Sequence, residues 1–372
     1  MLKIYDAYSS HKDTETAVKE IANQIKKEDI NYVIYFAGNK YDFELLSENM
    51  KEAFEQAEVI GCTTAGEISK KYLTENSLVA MAISSKDFIT KTTVVNDIST
   101  VPIIHREELI KTYNEVGLKS NKDGFVITLM DGLSLGEERV LSVINSIFDF
   151  QNFPIIGGSA GDGLDFKETK VSYNGRVYKD AAVVTFVNTK HKFCIYKENI
   201  FKSTKKQMIV TRADINNRIV YEFNNQPAAK YYAKKLEVDK KDLHKQFITN
   251  PLGRKIGDNI WIASPATINE DDSMQFHCQV LTNSILEILE PLDPVEMASN
   301  TVQELKANIS NIKGILAVNC VSRKLQFQEE RIEKKVLEPL LMTAPTVGFS
   351  SYGEQINSNH LNQTLILLAL GE

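Results

Sequence analysis

Three times along the chain, a run of β-branched and aromatic residues gives way to a helix-spaced stretch, a second apolar run and then a third. The first set is NYVIYFAG (31–38), YDFELLSENMKEAFEQ (41–56), IGCTTAGEIS (60–69) and NSLVAMAIS (76–84). Phe43, Leu46, Met50 and Phe54 recur at helical spacing, while the flanking runs have the residue types of buried strands. The order returns at GFVITLMDG (124–132), EERVLSVINSIFDF (137–150), FPIIGGSAGDG (153–163) and AAVVTFVN (181–188). It returns again at GILAVNC (314–320), QEERIEKKVLEPLL (328–341), TVGFSSYGE (346–354) and NQTLILLAL (362–370). The pattern predicts an α/β (α+β) chain: mixed β-sheets flanked by helices, built from internally repeated strand–helix–strand units in two domains.

The second strand of each set ends in a related motif: IGCTTAGE, IGGSAGD and VGFSSYGE. Each has an apolar residue, a glycine, small or hydroxyl residues, a second glycine and a carboxylate. Glycine at a strand end permits close backbone approach or a turn that a Cβ would hinder. Ser and Thr hydroxyls can bond nearby amides, and an acid can accept from exposed N–H groups. Glu67, Asp162 and Glu354 therefore read either as turn-stabilising acids or as part of a polar crevice at one end of a sheet, where ligand sites concentrate.

Between the second and third sets the pattern changes. KENIFKSTKKQM (197–208) carries charge with little apolar periodicity and reads as a boundary between domains at 1–200 and 208–372. QMIVTRADINNRIVYEF (207–223) predicts a hairpin turning at Asn216 and Asn217. Asn225 and Pro227 open a predicted helix, with Asn225 as its cap.

With 372 residues, 43% of them hydrophobic, the chain can build its cores without metals or disulfides. A formal charge of −6, with KSTKKQ (202–207) as the one basic run, argues against nucleic acid or an anionic membrane as partner. Four scattered cysteines, no leader-like start and no apolar run long enough to span a bilayer fit a soluble cytoplasmic protein. GGSAG (157–161) matches a nucleophile elbow around Ser159, but a polar loop follows where a helix is required. Cys62 lacks a recognisable His partner, and Glu67 stands where a phosphate-binding loop needs Lys. The six histidines show no metal-ligand spacing, although His277 or His360 could serve as a single axial ligand to haem.

These motifs, taken together, resemble the FIST family. GCTTAGEI (61–68) and GGSAGDG (157–163), with the Gly175 hairpin and Val183-Val184, resemble its N-terminal domain. NNQPAAKYY (224–232), NPLG (250–253), NCVSR (319–323), GFSSYGEQI (348–356) and NQT (362–364) resemble its C-terminal domain. The resemblance implies a sensory protein, not an enzyme, that binds a small amino-acid-like ligand without a cofactor. A chain with no room for an output domain would signal through a separate histidine kinase, chemoreceptor or cyclic-di-GMP enzyme. A haem-binding nitric-oxide sensor is the alternative, and a hydrolase using Cys62 or Ser159 a lower one. Ala263, where members carry Arg, and Asn283, where they carry Gly, depart from the family pattern and leave Arg323 as the expected anion contact. The expected ligand-binding set is Cys62, Thr63, Thr64, Gly66 and Glu67 on one wall, Gly158, Ser159 and Asp162 on a second, and Cys320, Arg323, Ser350, Ser351 and Glu354 on a third.

Overall fold

A computed structural model describes residues 1–25, 29–148, 153–257 and 259–372. Its contacts divide the chain into two compact units: residues 1–198, 298–360 and 365–372 form the larger, and 199–297 with 361–364 the smaller. The two family-like halves expected from sequence divide the chain near residue 200. In the larger unit, by contrast, the C-terminal strands pair with N-terminal ones.

In the larger unit the chain runs β1 (Lys3–Ser9), α1 (Thr14–Ile25), β2 (Tyr32–Gly38), α2 (Phe43–Ala53), β3 (Glu58–Thr64), a hairpin β4 (Glu67–Ser69) and β5 (Tyr72–Thr74), and β6 (Leu78–Ser84). The same order follows as β7 (Phe88–Asn96), α3 (Arg106–Val116), β8 (Gly124–Met130), α4 (Glu137–Asn145), β9 (Ile155–Ser159), the hairpin β10 (Val171–Tyr173) and β11 (Arg176–Tyr178), and β12 (Ala181–Thr189). Residues 149 and 150, the end of the helix expected over 137–150, lie outside the described residues. β13 (Lys192–Glu198) then starts a third passage.

The smaller unit interrupts that passage. It comprises β14 (Phe201–Asp214), β15 (Ile219–Phe223), β16 (Gln226–Pro227), α5 (Ala228–Leu236), α6 (Gln246–Thr249), β17 (Leu252–Ile256), β18 (Asn259–Ala263), β19 (Pro265–Ile268), β20 (Met274–Phe276) and β21 (Ile285–Pro291). The 197–208 segment contains the division between the units, after Glu198, and most of it is the start of β14. A register shift between Ser203 and Gln207 breaks the apolar alternation there, which is why the run shows no strand periodicity. Asn225 does not cap α5. Asn224 and Asn225 take left-handed backbone (φ 50° and 60°) and turn β15 into β16, and Pro227 precedes the helix.

The third passage resumes with α7 (Pro294–Asn308), β22 (Ile312–Cys320), α8 (Val321–Glu330), α9 (Glu333–Leu341), β23 (Thr346–Ser351), the hairpin β24 (Glu354–Ile356) and β25 (Asn359–Leu361), and β26 (Leu365–Gly371). The helix expected over 328–341 is split into α8 and α9 at Arg331, whose φ is 56°.

Strand pairing gives three six-stranded sheets of one design. Their orders are β1-β6-β2-β3-β10-β11, β7-β12-β8-β9-β24-β25 and β13-β26-β22-β23-β4-β5. In each, the two strands that flank a helix are parallel and the rest antiparallel. The hairpin of each passage leaves its own sheet and completes another: β4 pairs β23, β10 pairs β3, and β24 pairs β9. The three sheets are thus joined in a cycle.

Each sheet buries both faces. On one face of the first, Val33, Tyr35, Ala37, Val59 and Ala80 pack beneath Val18, Ile21 and Ile25 of α1 and Leu46 and Met50 of α2. The alternate residues Tyr32, Ile34, Phe36, Ile60 and Val79 are buried as well, so these strands carry apolar residues on both faces. Phe36 stacks on Phe349 of β23 at 4.5 Å, and Phe125 of β8 lies 4.9 Å from Phe193 of β13. Gly158 in β9 permits the same close approach, since a Cβ there would sit 2.5 Å from Val318 Cγ1 and 2.6 Å from Phe349 Cζ. We expect Gly158→Ala to cost about 1–3 kcal/mol through overpacking, read from the shift of the urea unfolding midpoint. An unshifted midpoint would mean that β9 does not seat against β22 and β23 this tightly.

Candidate functional site

The motifs that follow β3, β9 and β23 are stitched to one another through the backbone. Ala65 N donates to Ser350 O (3.0 Å) and Ser350 N to Gly66 O (2.7 Å). Gly161 N donates to Thr63 O (3.0 Å), and Gly163 N to Thr64 O (3.0 Å). Ser159 N donates to Gly353 O (2.8 Å), and Tyr352 N to Ser159 O (3.1 Å). The cycle of exchanged hairpins thus brings all three motifs together, and every residue of the expected ligand set is buried.

Most of their side chains are committed to internal partners. In the first motif the Thr64 hydroxyl donates to Glu67 Oε1, while Ser77 donates to Glu67 Oε2 through its amide (2.9 Å) and its hydroxyl (2.6 Å). In the third, Ser351 Oγ donates to Glu354 Oε1 at 2.7 Å. The second motif differs. Ser159 Oγ donates to Glu137 Oε1 (2.9 Å) and accepts from Gln355 Nε2 (3.0 Å). Asp162 accepts the amides of Phe166 (2.9 Å), Lys167 (2.6 Å) and Glu168 (3.0 Å), as well as the Tyr352 hydroxyl. Burial opposes its charge, but these donors outweigh burial and hold the Asp162 carboxyl below its ordinary range.

Cys320 ends β22 and Arg323 lies in the first turn of α8. Arg323, 1% exposed, donates through Nη2 to Glu198 and through Nε to Asn319 Oδ1 (3.0 Å), and Thr301 Oγ1 donates to the other Glu198 oxygen (2.6 Å). This is a buried ion pair. Cys320 precedes the first residue of α8, and Cys62 is buried in β3, where burial first and Glu67 second push its thiol well above the ordinary value. The chain after Ser159 continues as loop and then β10, so the strand-to-helix turn of a nucleophile elbow is not formed. The ring of His360 sits between Gln355 Nε2, 3.4 Å from Nδ1, and Glu137 Oε1, 3.9 Å from Nε2. With both nitrogens so placed, and Gly353 against the ring, His360 does not fit an axial haem ligand. His277 follows β20, its amide donating to Ser264 O at 3.0 Å.

Beside the first motif is a cavity of about 340 Å³ at the C-terminal ends of the parallel strands β2 and β3. Thr64, Ala65, Gly66 and Glu67 form its floor, Glu75 and Asn76 one side, Gly163–Asp165 another, and Asn39, Lys40 and Lys324 complete it. Asp162 holds the second side by binding the amides that follow it, in a loop whose backbone is left-handed at Gly163, Leu164 and Phe166. Of the expected ligand set, Thr64, Gly66 and Glu67 line this space.

Lys324 is the residue that sequence reasoning missed. Its side chain is 4% exposed, and its ammonium donates to Ala65 O (2.8 Å) and Glu75 Oε1 (2.6 Å). Gly66 is a glycine for this reason as well as for its φ of 133°: a Cβ would lie 2.9 Å from Lys324 Nζ. The signal was its position beside Arg323. Successive helical residues project about 100° apart, so one faced Glu198 and the next the cavity.

Burial pushes the Glu67 carboxyl up from 4.5 to about 7, against the pull of the Ser77 and Thr64 hydrogen bonds and Lys324. The folded chain therefore keeps a proton that the unfolded chain releases near 4.5. Stability contributed by this group is fully present below that pH and is lost as pH rises to about 7, by on the order of 3 kcal/mol. We expect Glu67→Gln, which stays neutral, to remove this slope from unfolding free energies measured between those pH values. Identical slopes in the two proteins would mean that Glu67 titrates normally.

Among the described residues no helix is long and apolar enough to cross a membrane, and no group of three or more His, Cys, Asp or Glu is placed to hold a metal. In comparisons with known proteins, the FIST N domain model matches residues 31–226 and the FIST C domain model residues 228–357. Uncharacterized protein MJ1623 of Methanocaldococcus jannaschii is 24% identical, over 97% of this chain and 79% of that protein. Among solved structures, PurLQS from Thermotoga maritima is similar at 9% identity and a TM-score of 0.24, covering 100% of this chain and 72% of that one. The phosphoribosylformylglycinamidine synthase II structure from Thermotoga maritima gives the same identity, 9%, coverage of 100% and 72%, and a TM-score of 0.24. Likeness at that level assigns no activity.

Proposed function

Since the chain belongs to the FIST family, whose domains are signal-transduction sensors, we propose that it binds a small amino-acid-like ligand in the cavity beside Glu67 and Lys324. One observation carries this reading: a buried ammonium and a buried carboxyl share one small concave space at the C-terminal ends of parallel strands. Open α/β sheets place ligands there. Isolated charged groups are costly to bury, and a cavity that keeps both signs at its wall suits a zwitterion.

Lys324 takes the ligand's carboxylate, the role expected of Arg323, which does not line the cavity and pairs with buried Glu198 instead. Glu67 and Asp165 face the ligand's ammonium. Once ionised, above about pH 7, Glu67 has acceptor capacity beyond its bonds to Thr64 and Ser77, because a carboxylate offers about four acceptor positions. The remaining residues of the expected set act indirectly. Thr63, Gly158, Ser159, Asp162, Ser350, Ser351 and Glu354 hold the three strand ends and the loop that walls the cavity. A cytoplasmic setting and a separate signalling partner, such as a histidine kinase, chemoreceptor or cyclic-di-GMP enzyme, complete the proposal.

Calorimetry with the twenty common amino acids tests it. We expect at least one to bind, and Lys324→Met to weaken that ligand by about 1.5–3 kcal/mol, the worth of a hydrogen bond to a charged group. Silence across the panel, or unchanged affinity in a folded Lys324→Met protein, would remove the cavity from consideration as an amino-acid site.

A further inference from the structure

The two acids near Lys324 are held in opposite ways. Glu67 is buried and fixed on both oxygens by Thr64 and Ser77. Glu75, on the link between β5 and β6, has a side chain 57% exposed, yet its Oε1 lies 2.6 Å from Lys324 Nζ. The other acceptor of that ammonium, Ala65 O, belongs to the buried backbone and cannot leave. Lys324 thus has one permanent acceptor and one that can swing into water.

We infer that Glu75 is a resident stand-in for a ligand carboxylate: an entering carboxylate displaces it from Lys324 and takes its place. The inference rests on the reading of this cavity as a ligand site and names the group that the site selects. The exchange is physically cheap. A buried ammonium stripped of its partner is strongly unfavourable, so the empty cavity needs an anion on Lys324. Glu75 supplies it, and on release regains its hydration, because a half-exposed ion pair contributes little on balance. Lys324 stays paired in both states. Neutral ligands cannot make the exchange without leaving the ammonium short of a charge, so the site discriminates for carboxylates over their amides.

Acetate, the carboxylate alone, is the probe. It is titrated into protein carrying ¹⁵N-labelled lysine, with the Lys324 ammonium signal assigned through Lys324→Arg. We expect that signal to move saturably with acetate and not with acetamide, and Glu75→Gln to tighten acetate binding by roughly two- to fivefold. Asp165→Asn removes an equal charge from the lining of the same cavity at a residue not bonded to Lys324, and so measures the purely long-range effect. A gain in Glu75→Gln no larger than in Asp165→Asn, or a Lys324 signal indifferent to acetate, overturns the exchange. The two proposals fail separately. Acetate exchange with a silent amino-acid panel keeps the carboxylate site and drops the amino-acid ligand, whereas amino-acid binding unaffected by Glu75→Gln does the reverse.

Discussion

The exchange of hairpins governs this structure. Once the hairpin of a passage leaves its own sheet, β3, β9 or β23 would be an open edge unless another hairpin took the place, and unpaired edges are avoided in native sheets. Here each edge is closed by a hairpin from another passage. Each sheet is complete only when two passages have folded, and the cycle of sheets only when all three have; β4, β10 and β24 are short because each needs only to seal an edge. The cost is steric. At Gly158 and Gly161 a Cβ would lie within 3 Å of another passage, and the Gly-acid motifs occur where the chain crosses from one sheet to the next.

This constraint also makes the motifs alike without making them equivalent. All three must turn sharply and satisfy buried amides, and all three do so with hydroxyls and an acid. Yet Glu67 is held by Thr64 and Ser77, Glu354 is bonded by Ser351, and Asp162 turns outward to bind the amides of its own loop. Asp162 is the shorter acid, followed by a longer loop, and that loop becomes a wall of the cavity at the first motif. A repeated sequence thus supplies a floor at one motif and a side wall at the next.

The regular elements were legible because their periodicity is local. The apolar strands and the helices over 43–53 and 137–145 fall where residue spacing puts them. What was not legible depends on partners far along the chain. Nothing in KSTKKQ marks a register shift against β21, some eighty residues away, so the start of a strand with an internal bulge showed no strand periodicity. Nothing in GEIS says that Glu67 and Ile68 will pair with Phe349 and Gly348. The site shows the same division. Thr64, Gly66 and Glu67 were visible because a motif repeated, whereas Asn39, Glu75, Asn76 and Lys324 share no motif and meet only in space.

Arg323 and Lys324 show how the residue types misled. Arg is the usual choice for bidentate recognition of carboxylates, so of two adjacent cations on α8 the guanidinium drew attention. A buried guanidinium, however, needs fixed acceptors, and for Nη2 and Nε the protein itself supplies them: Glu198 and Asn319, with Thr301 bonded to Glu198. An ammonium on a flexible stem can be satisfied by one backbone carbonyl and one movable carboxylate, which leaves it able to change partners. The cation better suited to a permanent pair is built into the core, and the cation better suited to exchange faces the cavity.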